Sequence, residues 1–138
     1  MVNRFAVCAT ILFAVTMPLH GICRPGNGHR KLNQAVLQNV QKTQVNSGKE
    51  LWRLEAPQVA AREAGALDPG CVVCKSAPDG AAVQFVKGDE RMRVFQYKAS
   101  DGRRLELTLQ KPEWLLPYAG VYKTEMWVVT GVKTTCGK

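Results

Sequence analysis

Cysteine is the residue in this chain whose spacing points most directly to chemistry. The sequence has Cys8 near its N-terminus and then Cys23, Cys71, Cys74 and Cys136. An oxidising compartment favours an even number of cysteines, because a spare thiol is reactive there. If Cys8 is removed with a leader, four cysteines remain and can form two disulfides. We therefore predict that these four residues are disulfide-bonded.

Cys71 and Cys74 form a C-x-x-C motif, which occurs in redox enzymes, zinc sites and structural disulfides. A thioredoxin-like site needs a helix that starts at the first cysteine and follows a βαβ unit, but a Pro-Gly pair precedes this motif. Zinc needs two further ligands, and Cys136 and His29 form no suitable spacing. We predict structural disulfides, with no metal and no cofactor. Either each member pairs with a terminal cysteine, or Cys23 pairs with Cys136 and the motif closes on itself.

Catalytic motifs are absent from the sequence. His20 falls in the predicted signal peptide, and His29, in the predicted flexible leader, is the only histidine of the mature chain, so histidine is scarce as a general base. No G-x-S-x-G, H-E-x-x-H or P-loop pattern occurs. Glu106 stands between Leu105 and Leu107 as the outward residue of a predicted strand, where carboxylates are normally solvated. We expect no catalytic residues and a protein that is not an enzyme.

The first residues have the anatomy of a secretory signal peptide. Arg4 gives a positive start, residues 5–17 carry no charge, and Pro18 ends the apolar run. This run is shorter than the ~20 residues that span a bilayer, so we expect no stable membrane anchor. Cleavage after Gly21 keeps Cys23 and an even number of cysteines. We predict a signal peptide at 1–21, a flexible leader at 22–30 and a single secreted, extracellular domain at 31–138.

The chain is strongly basic, with a net charge of +8 at pH 7. Such a charge favours acidic partners, including nucleic acid, acidic glycans and negatively charged proteins. Because the charge is spread along the sequence without a block of five like residues, it indicates a basic surface and not a polybasic arm.

Two hydrophobic periodicities predict the helices and strands that position the cysteines and charged residues. Between residues 31 and 45, apolar side chains recur every fourth residue, which predicts an amphipathic helix. A short extended segment at 50–56 and a short helix at 57–64 follow. The period then becomes two, which predicts strands at 82–87, 91–98, 104–110 and 121–130, with a loop at 111–120. The predicted fold is α+β, with the N-terminal helix packed on a four- or five-stranded antiparallel sheet.

One face of the hairpin formed by 91–98 and 104–110 is predicted to combine arginines with aromatic rings. Alternation places this face away from Leu105, Leu107 and Leu109. Such a surface could stack bases while holding phosphates nearby. Alternatively, the aromatic rings pack under the loop Trp114–Tyr118 and the arginines are only solvated, and the sequence favours this alternative. The candidate binding residues are Arg91, Arg93, Phe95, Tyr97 and Arg104, with Glu106 and Thr108 beside them.

The layout of a helix followed by an antiparallel sheet, with a cysteine near each mature end, resembles two secreted families. RNase-like secreted effectors of plant-pathogenic fungi share the size, the basic charge, the scarcity of histidine and the terminal cysteines. Cystatins, which inhibit papain-like proteases, share the layout. The segment from Gln44 to Gly48 reads Q-V-N-S-G where cystatins have Q-x-V-x-G, and Pro112-Glu113-Trp114 resembles their second-hairpin P-W pair.

The resemblance to the effectors implies a non-catalytic, virulence-type binding protein that acts on host molecules. Its partner would be a protein outside the producing cell, encountered in the extracellular space or inside a host cell. The cystatin resemblance implies an extracellular cysteine-protease inhibitor instead. A third interpretation is a basic, antimicrobial-like protein that binds nucleic acid or acidic glycans.

Overall fold

A computed structural model describes residues 23–71, 74 and 82–136, in which five strands form one antiparallel sheet. The strand order is β1-β5-β4-β3-β2. The strands are β1 (Gly26–His29), β2 (Gln84–Gly88), β3 (Met92–Lys98), β4 (Arg103–Gln110) and β5 (Val128–Cys136). The predicted α+β class and antiparallel sheet are thus confirmed. The predicted signal peptide at 1–21 lies outside the described residues.

The helix that packs against the sheet is the second one, α2 (Ala56–Leu67), and not the N-terminal helix that we predicted for this role. Helix α1 (Gln34–Val40) continues into a π-helical turn at Gln41–Val45, contacts that turn and the segment 113–118, and buries none of its own residues. The buried face of α2 consists mainly of alanines, which allow the helix backbone to approach the strands closely. Periodicity of large apolar residues does not detect such a face.

Two hydrophobic clusters form the core of the described chain. The larger one joins the alanine face of α2 to Leu105, Leu107 and Leu109 of β4 and to Trp127 just before β5. The smaller one lies under α1 and the segment 113–118, and its buried members are Val45, Leu115, Met126 and Val128. The sheet therefore has an inner face, covered by α2, and an outer face.

The two ends of the chain meet through β1 and β5. Strand β1 pairs antiparallel with β5, from Gly26 opposite Thr134 to His29 opposite Gly131, so the prediction of a flexible leader is wrong over these residues. Cys23 is bonded to Cys136 and Cys71 to Cys74. Disulfide bonding is thus confirmed, with the pairing in which the C-x-x-C motif closes on itself.

The remaining differences from the sequence predictions concern short helices. Residues 50–56 were expected to be extended, but Leu51–Leu54 form a 3₁₀ helix. The predicted last strand begins at Val128 and not at residue 121, because 3₁₀ turns occupy Glu113–Tyr118 and Gly120–Tyr122. Lys123 then adopts a left-handed conformation with φ 55°, which redirects the chain before β5. Within the described residues, no helix is long and apolar enough to cross a bilayer.

Candidate functional site

The predicted binding surface is divided between the two faces of the sheet. Phe95 lies opposite Leu107 and Tyr97 opposite Leu105, and directly opposed residues share a face. Both aromatic side chains therefore belong to the inner face, where Phe95 is 2 % exposed and Tyr97 7 % exposed. The prediction that they lie on the face opposite the leucines is wrong. They pack in the larger cluster and not with Trp114, which belongs to the smaller one.

The three candidate arginines are also divided: Arg91 and Arg93 lie two positions apart at the N-terminal end of β3, whereas Arg104 lies elsewhere. An Nη2 atom of Arg91 is 2.9 Å from Oε1 of the buried Glu125. The Arg93 guanidinium carbon lies 5.0 Å from the centroid of the Trp127 ring, and its Nε donates to the carbonyl of Asp89. Arg104 is exposed on the outer face, opposite Lys98. The five candidates therefore do not form one surface.

Tyr97 has a structural partner at the end of α2. Its hydroxyl donates to Oδ2 of the buried Asp68 at 2.6 Å, and the backbone N–H and hydroxyl of Ser100 donate to the same carboxylate. These hydrogen bonds, that from Tyr97 first, lower the pKa of Asp68 to about 2. Burial, followed by the Asp68 contact, raises the pKa of Tyr97 to about 12. The Tyr97 ring is therefore an anchor between helix and sheet and is not available for stacking.

A different group of residues forms a cleft at one end of the sheet. It has a volume of about 440 Å³ and lies between α1, α2, the 3₁₀ helix at Leu51–Leu54 and the start of β5. Its floor is apolar and includes Val59, Trp127 and Val129, which are buried. Leu32 and Val36 lie at its edge, and the Val36 side chain is 55 % exposed.

Local interactions fix the shape of this cleft. Asn33 caps α1 through its Oδ1 atom, which accepts from the Val36 N–H at 3.2 Å. The backbone N–H of Trp127 donates to the carbonyl of Arg53 at 2.9 Å and so attaches the 3₁₀ helix to the segment before β5. Pro57 lies in the first turn of α2, where its fixed φ suits helix initiation. These interactions fix where α1 and α2 begin and attach the 3₁₀ helix to the segment before β5.

The cleft carries more positive charge than its own carboxylates can neutralise. Arg30 pairs with Glu63, and Arg53 pairs with Glu50 through Nε and Oε2 at 2.8 Å. Among the described residues, no carboxylate pairs with the two remaining cations of the cleft. These two are Lys31 and Arg62, and both are exposed.

Trp52 holds two of the arginines in place. The guanidinium carbon of Arg62 lies 4.2 Å from the centroid of the Trp52 ring, and that of Arg53 lies 4.4 Å from it. A guanidinium group stacked on an aromatic ring keeps its N–H donors free at its edges, and these can bind a carboxylate or phosphate in a bidentate manner. The cleft thus presents an oriented donor group beside an apolar floor.

The side chains that line the cleft are apolar or charged, apart from the Asn33 amide. The lining residues include neither a histidine nor a cysteine, and no serine that could act as a nucleophile. Within the part of the chain that the structure describes, no three histidine, cysteine or acidic side chains are placed to hold a metal ion. Comparison with known protein families, curated proteins and solved structures finds no match for this chain.

Proposed function

We propose that this protein is an extracellular, non-catalytic binding protein whose cleft takes an acidic segment of a partner protein. A single observation carries the proposal: Lys31 and Arg62 have no carboxylate partner among the described residues, although they border an apolar cleft of about 440 Å³. A carboxylate of the partner would pair with the Arg62 guanidinium group, and an adjacent apolar side chain of the partner would cover Val36 and the floor of the cleft.

The extracellular location and the action on a host protein, as an effector or virulence factor, belong to the same proposal. The two disulfides support the location, because disulfides persist in oxidising compartments. The basic charge and the unpaired cations support an acidic partner. The non-catalytic role is supported by the two buried carboxylates: both oxygens of Asp68 accept hydrogen bonds within the fold, and Oε1 of Glu125 accepts one from Arg91.

Selection from a random peptide display library on the mature chain tests this function. The expected peptides place Asp or Glu next to a large apolar residue. Replacing both unpaired cations, with Lys31→Gln and Arg62→Gln, should weaken binding of a selected peptide by about ten-fold or more, since hydrogen bonds to charged groups contribute about 1.5–3 kcal/mol.

Lys49→Gln is the matched control, because Lys49 is exposed and lies outside the cleft. It should leave peptide affinity unchanged. Selection of peptides without acidic residues, or equal affinity of the double variant and the control, would contradict the proposal.

A further inference from the structure

The outer face of the sheet carries a second concentration of positive charge, separate from the cleft. Its cations come from four strands and are all exposed: Lys87 of β2, Lys98 of β3, Arg104 of β4 and Lys133 of β5. Glu106 is the acidic residue that the strand register places among them. In the described chain, none of the four cations takes part in an ion pair or a side-chain hydrogen bond.

The register of β3 and β4 places two of these cations directly against each other. Lys98 lies opposite Arg104, and like charges at directly opposed positions destabilise a sheet. Glu106 lies opposite Lys133 without forming an ion pair within 4.0 Å. The outer face therefore keeps a net positive charge, and its Lys98–Arg104 pair has a cost to folding.

Most residues between the cations are polar, although the buried Val94 lies opposite Lys87 and Thr108. One cross-strand row runs Gln84, Gln96, Glu106, Lys133 and Asn27, and Thr108 and Thr135 lie in the neighbouring rows. The aromatic rings of the adjacent strands, Phe85, Phe95 and Tyr97, all lie on the inner face by the same register. Among the described strands, the outer face thus offers amide and hydroxyl groups and the exposed His29 imidazole, but no Phe, Tyr or Trp ring on which a base could stack.

From this combination we infer that the outer face binds an anionic polysaccharide. Sulfate or carboxylate groups of the chain pair with Lys98, Arg104 and Lys133, and sugar hydroxyls exchange hydrogen bonds with the intervening Gln, Asn and Thr side chains. A single-stranded nucleic acid is disfavoured because stacking on aromatic rings supplies much of the affinity of such complexes. Binding to the outer face leaves the cleft free, so this inference does not depend on the proposed function.

Affinity measurements with three polyanions test the inference on the mature chain. The probes are dextran sulfate, polygalacturonate and a poly-dT oligonucleotide, compared at equal charge concentration. At least one of the polysaccharides should bind more tightly than the oligonucleotide, with an affinity that falls as salt is raised. Tighter binding of dextran sulfate would indicate a sulfated ligand, and tighter binding of polygalacturonate would indicate a carboxylated one.

A matched pair of triple variants separates the outer face from charge in general. The first combines Lys98→Gln, Arg104→Gln and Lys133→Gln, and the second removes three cations that lie outside the sheet, with Lys42→Gln, Lys49→Gln and Lys123→Gln. The first should lose about ten-fold to a hundred-fold in polysaccharide affinity, on the scale known for basic residues at anionic surfaces. The second should lose less than about three-fold, as expected from long-range attraction alone.

Three results would overturn the inference. They are equal losses in the two triple variants, no binding of either polysaccharide at low salt, and tighter binding of the oligonucleotide than of both polysaccharides. Because all six positions are exposed, both variants should fold, and their thermal unfolding midpoints provide the check.

Discussion

The two faces of the sheet use the same strands in opposite ways. On the inner face, Phe95 and Tyr97 are buried with the leucines of β4 against α2. On the outer face, the neighbouring residues Lys98 and Arg104 are exposed, lie opposite each other and have no acidic partner in the described chain. The comparison teaches that alternation from Phe95 to Lys98 and from Arg104 to Leu107 separates packing from charge, so one strand residue contributes to stability while the next is free to bind.

The strongest test of this division between the two faces is an alanine substitution on each face. Phe95→Ala should reduce the free energy of unfolding by about 3–5 kcal/mol, because it removes a buried ring from the larger cluster. Gln96→Ala, one position later and exposed on the outer face, should change it by less than about 0.5 kcal/mol. Urea unfolding of both variants measures the difference. Similar losses for the two variants would show that the faces are not divided in this way.

The buried carboxylate at the end of α2 gives a smaller effect with a pH signature. Asp68→Asn should reduce the free energy of unfolding by about 1–3 kcal/mol, because the donors of Tyr97 and Ser100 lose a charged acceptor. The folded pKa of Asp68, about 2, lies below its usual value of 3.8. The stability that Asp68 contributes is therefore present above 3.8 and is lost as the pH falls through about 2.

Urea unfolding across that pH range tests this account of Asp68. The natural chain should lose stability more steeply than the Asn variant as the pH falls from about 4 to about 2. All other carboxylates are common to the two proteins, so the difference between the two curves isolates Asp68. Parallel curves would contradict the assigned network.

The smallest expected effect concerns Lys98, whose replacement by glutamate should raise stability and weaken polysaccharide binding. Lys98→Glu replaces a like-charge pair with an opposite-charge pair across from Arg104, and should raise the free energy of unfolding by about 0.2–1 kcal/mol. The same change should weaken dextran sulfate binding if the outer face is the polysaccharide site. Thermal unfolding and affinity, measured on one sample, check both signs. A variant that is less stable and binds equally well would argue against a functional outer face.

The sequence predicted the sheet better than it predicted the helix that covers it. Alternation in 91–98 and 104–110, with a turn at Gly102, identified β3 and β4 to within a residue. It did not assign the faces of β3 correctly, because apolar residues occupy both of its alternating sets: Val94 is buried on the outer face while Phe95 and Tyr97 are buried on the inner one. The pairing register decides that question, and it depends on contacts between distant residues.

The cleft could not be found from the sequence for a related reason. Trp52 and Arg62 are ten positions apart and meet because the 3₁₀ helix at Leu51–Leu54 turns the chain back along α2. That segment was expected to be extended, and an extended chain would not bring the two residues together. Pairs such as Arg30 with Glu63 arise in the same way from the tertiary structure. Composition did predict an excess of positive charge, but not its location.

The central claim, that the cleft is the protein-binding site, is tested most directly by amide and indole NMR of the mature chain titrated with a display-selected acidic peptide. The largest shift changes should fall on Lys31, the Trp52 indole N–H and Arg62, and they should disappear in the double variant Lys31→Gln and Arg62→Gln. The outer-face residues Lys98 and Arg104 should be unaffected. Changes concentrated on the outer face, with the Trp52 indole signal unmoved at saturation, would contradict the claim.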